Sequence, residues 1–543
     1  MKPGFLRKID LEKEKHVRII AAIMLAFFVL TAATSVAVKS LTVDESVYIV
    51  AGYSYLKTGD YRMNPEHPVF GKMVLALPLL LMDPVLPLEK PAWADSAVMG
   101  NNLPNYSFAA DFYAANLDNF FPIIFSARLM QIALGVFLGM LVFLWSKKLF
   151  GAKAALLALF FYVLSPNIMA HARIAALDFT LTVFVFAAFF FAFHFTRSGG
   201  FPHLFLSALF ISFASLTKFS GIVFVPLLFL FIAMQHRELK KSRTEFFKKK
   251  NVLLYCAFVF LFVCLFILVF ANALYSFDSY GDPASAGIIP ARLLDGYDFI
   301  SGWVQGGREG YLLGEFGTYI PHYFLAAFIF KTPLAFIILL AFSFYVFAKK
   351  RRLDSFSVLF PALLFFALVS LFTGFYLGLR YVLPVYPFLF VFASQTAGFL
   401  ALKKDKKAKA VFALLLAWLF FSSVSIYPNY LAYFSELCGG PGNGQLYLSD
   451  SNIDWGQDLF QLMAYVKENN VENLNLIYFG WPYHALFFPE ARYEPDCSKL
   501  HGSVAVSVTK IVGIFEGDSC LSFLLEKEPK AKIGWSIYYY ELG

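Results

Sequence analysis

Apolar stretches of about 20 residues recur along this chain, and each can cross roughly 30 Å of hydrocarbon as a helix. Eleven read as spans: 17–38, 124–145, 153–170, 174–196, 203–217, 220–235, 252–271, 323–347, 355–376, 383–401 and 410–427. Two of them, 203–217 and 220–235, are short and could form one broken pair that barely reaches the outer face. The runs are solid rather than alternating, which excludes a closed barrel, the other structure that satisfies its backbone in lipid. Composition agrees: 59% of residues are hydrophobic, 15% are charged and 67 are Phe, with a mean hydropathy of +0.64. A soluble domain carries far more charge. The expected fold class is an α-helical polytopic membrane protein.

The net charge of +8 could suggest nucleic acid, but its distribution argues against that partner. Of the 45 basic residues, 26 fall in six short runs: the arm up to Arg18, Lys147–Lys153, Arg197, Arg237–Lys250, Lys349–Arg352 and Lys403–Lys409. With alternating spans, all six lie on one side. That is the positive-inside pattern. It puts the N-terminus in the cytoplasm and, after eleven crossings, the C-terminus outside. The first span could be a signal peptide, but about 22 apolar or small residues favour an uncleaved anchor.

Most polar residues then fall outside. The first outer loop, 39–123, holds two segments that read as helices lying on the membrane, Glu45–Leu56 and Pro68–Met82. The loop Asn272–His322 contains Ser301-Gly302-Trp303 and Gln305-Gly306-Gly307-Arg308-Glu309-Gly310 and reads as mobile. Residues 1–427 form the membrane module. Residues 428–543 read as a small outer α/β domain, with strands at Gln445–Leu448, Leu474–Phe479, Val504–Val508 and Ile537–Tyr540 and a helix at Trp455–Lys467. Cys256 and Cys264 lie in a span. Cys438, Cys497 and Cys520 fall outside, where disulfides persist, and Cys497–Cys520 is the candidate bridge. No internal repeat supports an inverted-repeat transporter.

The chemistry-bearing residues gather at the outer face. Asp44-Glu45 follows the first span. It could be a helix start capped by Thr42 or Asp44, or a general base acting on an acceptor hydroxyl. Glu66-His67-Pro68 could start a helix, with Pro68 in its first turn, or could orient the base or hold a divalent metal. Asp178 at the outer end of the fourth span is a functional candidate by default. Five cations, Lys72, Arg128, Lys218, Lys331 and Arg380, share that face. Paired charges within the bundle would explain them; so would an anionic ligand, and a phosphate suits Arg best. Asp450, Asp454 and Trp455 could contact an acceptor or cap a helix and pack, and packing is the expectation. The chain has no phosphate-binding Gly-rich loop, no His-Glu-x-x-His and no Gly-x-Ser-x-Gly, so nothing indicates ATP hydrolysis, a zinc protease or a serine hydrolase.

Several motifs occur in a familiar order: Asp44-Glu45, Asn64-Pro65-Glu66-His67-Pro68, Ala127-Arg128-Leu129, Leu164-Ser165-Pro166 and Ala176-Leu177-Asp178. Lys331-Thr332-Pro333, Arg380-Tyr381-Val382-Leu383-Pro384 and Ser451-Asn452-Ile453-Asp454-Trp455-Gly456-Gln457-Asp458-Leu459 follow. Over residues 44–459 the chain resembles GT-C fold glycosyltransferases that use polyprenyl-phosphate sugars. The nearest likeness is to prokaryotic relatives of protein O-mannosyltransferase and lipid A aminoarabinose transferase. The resemblance implies Asp44 as the base, with Glu45, Glu66, His67 and Asp178 around it. It implies Lys72, Arg128, Lys218 and Arg380 on the lipid phosphate. The chain departs from aminoarabinose transferase at Glu66-His67-Pro68, where that enzyme is similar to Lys-Pro-Pro. It lacks the β-trefoil of eukaryotic protein mannosyltransferases and an Asp-x-Asp triplet in the first outer loop.

The resulting expectation is an inverting hexosyl- or pentosyltransferase at the plasma membrane. It would move a sugar from a polyprenyl-phosphate donor to a hydroxyl of a protein, lipid or glycan acceptor. The alternative is a transporter or flippase of the same lipid-linked sugar. No cofactor is required by this reading, and a divalent metal could take part.

Overall fold

The computed structural model describes residues 13–96, 103–235, 252–276, 288–307, 309–398, 405–480, 483–493, 497, 500–513 and 520–543. The basic run Arg237–Lys250 and Arg308 are among the expectations that lie outside these residues, as does the side chain of Cys256.

The chain is a multi-pass helical membrane protein with a small C-terminal sheet. Among the described residues, six helices are long and apolar enough to cross a bilayer: Glu14–Val36, Leu117–Phe150, Leu177–Ser198, Ala257–Leu274, Leu353–Phe372 and Lys406–Ser425. The expected span 323–347 is broken. Tyr323–Lys331 and Leu334–Lys350 meet at an angle of 114°, because Pro333 lacks an N–H and clashes with the preceding turn of a continuing helix. The other expected spans appear as shorter apolar helices, Ala152–Val163 with Pro166–His171, Phe201–Ser215, Phe224–Met234 and Val385–Ala393.

Between the first two spans the helices fall close to the expected segments, at Val43–Thr58 and Val69–Ala76. The second breaks after Ala76 and resumes past Pro78 as one turn, Leu79–Met82, and Pro68 is its N-cap residue rather than part of its first turn. These two helices pack closely because Gly52 faces the carbonyl of Lys72, where any Cβ would collide. The Gly-rich segment is not a loop throughout. Ala291–Gly306 is a helix, and Gly310–Leu312 pairs with Glu315–Gly317 as a hairpin.

The C-terminal sheet runs Arg492–Tyr493, Asn475–Ile477, Gly502–Ser507, Ile537–Leu542, Ala531–Ile533 in spatial order. Its first three strands are parallel and the rest antiparallel. The expected strand Gln445–Leu448 is instead largely a 3₁₀ turn, Pro441–Leu446, with Leu448 bridging to Leu312. The Cys497–Cys520 disulfide is present, and Cys438 is a buried free thiol. Strand alternation ties the sheet to the rest of the protein. Val504, Val506, Tyr538 and Tyr540 join the core that runs through the spans. Ala505, Ile537 and Tyr539, on the opposite face, join the core built by the first outer loop. A sheet buried on both faces reads as continuous apolar sequence, as Val504–Val506 does.

Candidate active site

Helix capping separates the two members of the Asp44-Glu45 pair. Thr42 is the N-cap. Its hydroxyl accepts from the N–H of Glu45, and the Glu45 carboxylate accepts from the N–H of Thr42, a full capping box. Glu45 is thereby turned inward, 0% exposed, onto Arg128, whose guanidinium meets both carboxylate oxygens at 2.8 Å. The N–H of Ala175 donates to the same carboxylate at 2.7 Å. Burial alone would push the Glu45 carboxyl up, but Arg128 and these N–H groups hold it below its usual value. Asp44, one residue earlier, faces the other way.

Asp44 opens onto a cavity of about 720 Å³. Six of the nine residues expected at the site line it: Asp44, Glu66, His67, Asp178, Lys218 and Arg380. Arg380 donates to Asp44 at 2.6 Å and stands 3.6 Å from Asp178, while Lys218 meets Asp178 at 2.5 Å. The hydroxyl of Tyr48 lies 3.4 Å from Asp44. The guanidinium of Arg380 stacks over Trp455 at 4.2 Å, and the Lys218 ammonium sits over Tyr381 at 4.6 Å. The Nε of Arg380 is buried and has no hydrogen-bond partner. Below this polar head the walls are apolar, with Leu181, Val223, Phe365, Leu368, Val369 and Phe372. Several come from spanning helices, and Phe372, at the end of one of them, is 77% exposed. Ile300, Trp303 and Val304 of the Ala291–Gly306 helix form another wall.

Three expected residues do not line the cavity. Glu45 and Arg128 are consumed by each other, and Arg128 also donates to the carbonyls of Lys39 and Ser40, at 2.8 and 2.6 Å. Lys72 is 0% exposed and donates to the carbonyls of Asn64 and His67, at 2.5 and 2.8 Å. Burial lowers its pKa to about 7. Lys72 therefore fixes the turn that presents Glu66 and His67. His67 itself is held well below its usual pKa by burial, with Lys218 and Lys72 nearby, and its Nδ1 is buried without a partner. Lys331 also stays out of the cavity, bonded to the carbonyls of Leu431 and Asn452. Among the described residues no three His, Cys, Asp or Glu side chains converge as a metal-binding group.

The C-terminal motif builds the site from outside the spans. The N–H groups of Ser40 and Val43 donate to the carbonyls of Gln457 and Trp455, both at 3.0 Å, which fixes the start of the helix that carries Asp44. The Asn452 carbonyl oxygen Oδ1 accepts from the N–H of Leu379 at 2.9 Å, and the Ser451 hydroxyl donates to the carbonyl of Leu377. Gly378 lies between these two anchors at φ 124°, pressed against Ser451, where a side chain would not fit. One short segment thus positions both Asp44 and Arg380. The packing expected for this motif holds for Asp454, which accepts from the N–H groups of Thr509 and Gly456. It does not suffice for Asp450 and Trp455, which line the cavity. Trp303 and Phe479 line it too; nothing in their local sequence marks them.

Residues 120–270 match the family described as dolichyl-phosphate-mannose-protein mannosyltransferase. A comparison with curated protein sequences gives no match. Among solved structures, the chain is similar to ArnT from Cupriavidus metallidurans bound to undecaprenyl phosphate, at 14% identity and a TM-score of 0.49, covering 96% of this chain and 97% of that one. It is also similar to the Archaeoglobus fulgidus oligosaccharyltransferase in its apo form, at 13% identity and a TM-score of 0.43, covering 95% and 69%. A third likeness is to AglB of the same organism in complex with an inhibitory peptide and a dolichol-phosphate, at 15% identity and a TM-score of 0.39, covering 93% and 68%. The family match includes Arg128, Asp178 and Lys218, in keeping with the resemblance carried by the sequence motifs.

Proposed function

We propose that this protein transfers a sugar from a polyprenyl-phosphate donor to an acceptor hydroxyl, with inversion, at the outer face of the plasma membrane. The observation that carries this reading is Asp44, ion-paired to Arg380 at 2.6 Å, at the polar head of a groove walled by spanning helices. The lipid tail lies along the Phe365–Phe372 wall, and the donor phosphate sits at Arg380 and Lys218. Arg380 has donors to offer beyond its pair with Asp44, since its Nε is unpartnered. When the phosphate engages Arg380, the Asp44 carboxylate is released toward the acceptor.

Asp44 then takes the proton of the acceptor hydroxyl as that oxygen bonds the anomeric carbon. The bond from that carbon to the phosphate oxygen breaks on the opposite face, and its electron pair leaves with the polyprenyl phosphate. Arg380 and Lys218 stabilise the charge that develops there. Asp178 holds the two cations apart and in place. Neutral His67, with Glu66 beside it, offers hydrogen bonds to sugar hydroxyls. A lipid-linked donor suits an outward site, because nucleotide sugars and ATP are cytoplasmic.

The test is a transfer assay on purified protein in lipid. It uses radiolabelled mannosyl-, glucosyl- and aminoarabinosyl-phosphate polyprenols with membrane extract as acceptor, and compares wild type with Asp44→Asn. Label that moves to a new product only with wild type supports the proposal, and the product names the acceptor class. Donor that binds but is never consumed, and that crosses the bilayer equally with both proteins, would make this a flippase.

A further inference from the structure

The acids of the cavity are not equivalent. Asp44 and Asp178 each have a cation within 4 Å. Asp450 lines the same cavity and is 3% exposed, yet no cation lies within 4 Å of it among the described residues. Among the described residues its carboxylate has hydrogen-bond partners only next door, in Ser451, whose N–H donates to Oδ1. A carboxylate can accept about four hydrogen bonds, and a buried one left short of partners is costly. Its backbone is also held at φ 56°, in the left-handed region that non-glycine residues occupy mainly when the surroundings demand it. Those surroundings are the bonds of Ser451 and Asn452 to the 377–379 segment. The fold therefore holds a carboxylate into the cavity without completing its partners.

The position of Asp450 says what completes them. Asp44 and Asp450 both act electrostatically on Arg380, so the three groups face one volume. On the proposed function, the donor phosphate takes Arg380 and the acceptor oxygen takes Asp44. The ring that joins phosphate to acceptor must lie between them, beside Asp450. A sugar ring presents hydroxyl donors, which an under-bonded carboxylate accepts well, and charge-assisted hydrogen bonds of this kind are the strong ones. We propose that Asp450 is a specificity-determining residue that accepts hydrogen bonds from hydroxyls of the donor sugar, so that the C-terminal domain contributes part of the donor site.

This rests on the donor reading above, and the experiment separates the two. Binding to the purified protein in nanodiscs is measured for polyprenyl phosphate and for its mannosyl and glucosyl derivatives, without acceptor, for wild type and Asp450→Asn. The Asn side chain keeps an oxygen for the Ser451 N–H and tolerates the left-handed backbone, so the fold is retained; Asp450→Glu serves as a second variant that keeps the charge. The expected result is a loss of about tenfold or more in affinity for the glycosylated lipids with Asp450→Asn, unchanged affinity for the bare phosphate, and partial recovery with Asp450→Glu. Equal loss for bare and glycosylated lipids would make Asp450 part of the phosphate site and overturn the proposal. Unchanged binding of both would also overturn it, leaving an acceptor contact or a structural role. Wild type that binds none of the lipids refutes the donor reading itself, and the assignment of Asp450 with it.

Discussion

Asp44 and Glu45 are neighbours in sequence, and each meets an arginine, but the two ion pairs behave differently. Around Glu45 every polar atom is used. Its Oε1 accepts from Arg128 and Ala175, its Oε2 from Arg128 and Thr42, and the guanidinium spends two further donors on the carbonyls of Lys39 and Ser40. Among the described residues Asp44 is engaged only through Oδ2, by Arg380 and weakly by Tyr48, and Arg380 keeps a buried Nε without a partner. The first knot is closed and lies in the protein; the second is open and lies on a cavity. Residue type does not separate a closed ion pair from an open one. Saturation of hydrogen-bonding capacity does.

The comparison breaks most visibly if the wrong acid proves essential. Asp44→Asn should lower transfer by about 10² to 10⁴-fold, the range for a lost general base, while leaving thermal unfolding near wild type. Glu45→Ala should do the reverse. Removing one partner strands Arg128 in the interior, which costs about 3–5 kcal/mol, while the protein that remains folded keeps its activity per molecule. Unfolding curves in detergent, together with transfer normalised to folded protein, check both. A stable but inactive Glu45 variant would erase the distinction.

How far sequence carried this distinction follows from what each signal depends on. Six of the eleven expected spans, the two helices after the first span and the disulfide depend on local composition and spacing, and these were legible. Of the nine candidates six line the cavity: Asp178, Lys218 and Arg380 stood out as charges near span ends, and Asp44, Glu66 and His67 as motif residues between the first two spans. Glu45, Lys72 and Arg128 were not separable from them, since direction around a helix turn depends on which partner is met. The bend at Pro333 could have been read from Lys331-Thr332-Pro333, but a long apolar run masked it. The Ala291–Gly306 helix was hidden by its glycines, which lower helix propensity by about 1 kcal/mol each relative to Ala and which tertiary packing overrides. The contribution of Asp450 and Trp455 arises from contacts of their segment with residues 377–379 and with the start of the Asp44 helix, both distant in sequence, and no local pattern reports those.

A smaller effect tests whether the open knot serves phosphate. Arg380→Lys keeps the charge but loses the fork and the stacking on Trp455. If Arg380 grips the donor phosphate, KM for the donor should rise by about 10 to 100-fold, the worth of one or two charge-assisted hydrogen bonds. If Arg380 only restrains Asp44, kcat should change and KM should not.

Asp454 adds a third arrangement, a buried acid with backbone N–H partners and no cation within 4 Å among the described residues. Burial raises its pKa to about 7, against the pull of the Thr509 and Gly456 N–H groups, and Asp458 nearby adds to the rise. Its unfolded value is about 3.9, so the folded state binds the proton more tightly. The stability from this group is fully present below about pH 4 and is lost as pH rises through about 7. The slope in that window is at most about 1.4 kcal/mol per pH unit. Other buried groups titrate in the wild-type curve as well, so the informative quantity is the difference between wild type and Asp454→Asn. Thermal unfolding from pH 4 to 8 should show that difference shift steadily in the variant's favour as pH rises. A flat difference would mean that Asp454 stays ionised throughout, and that two N–H donors are enough to keep a buried carboxylate charged without a cation.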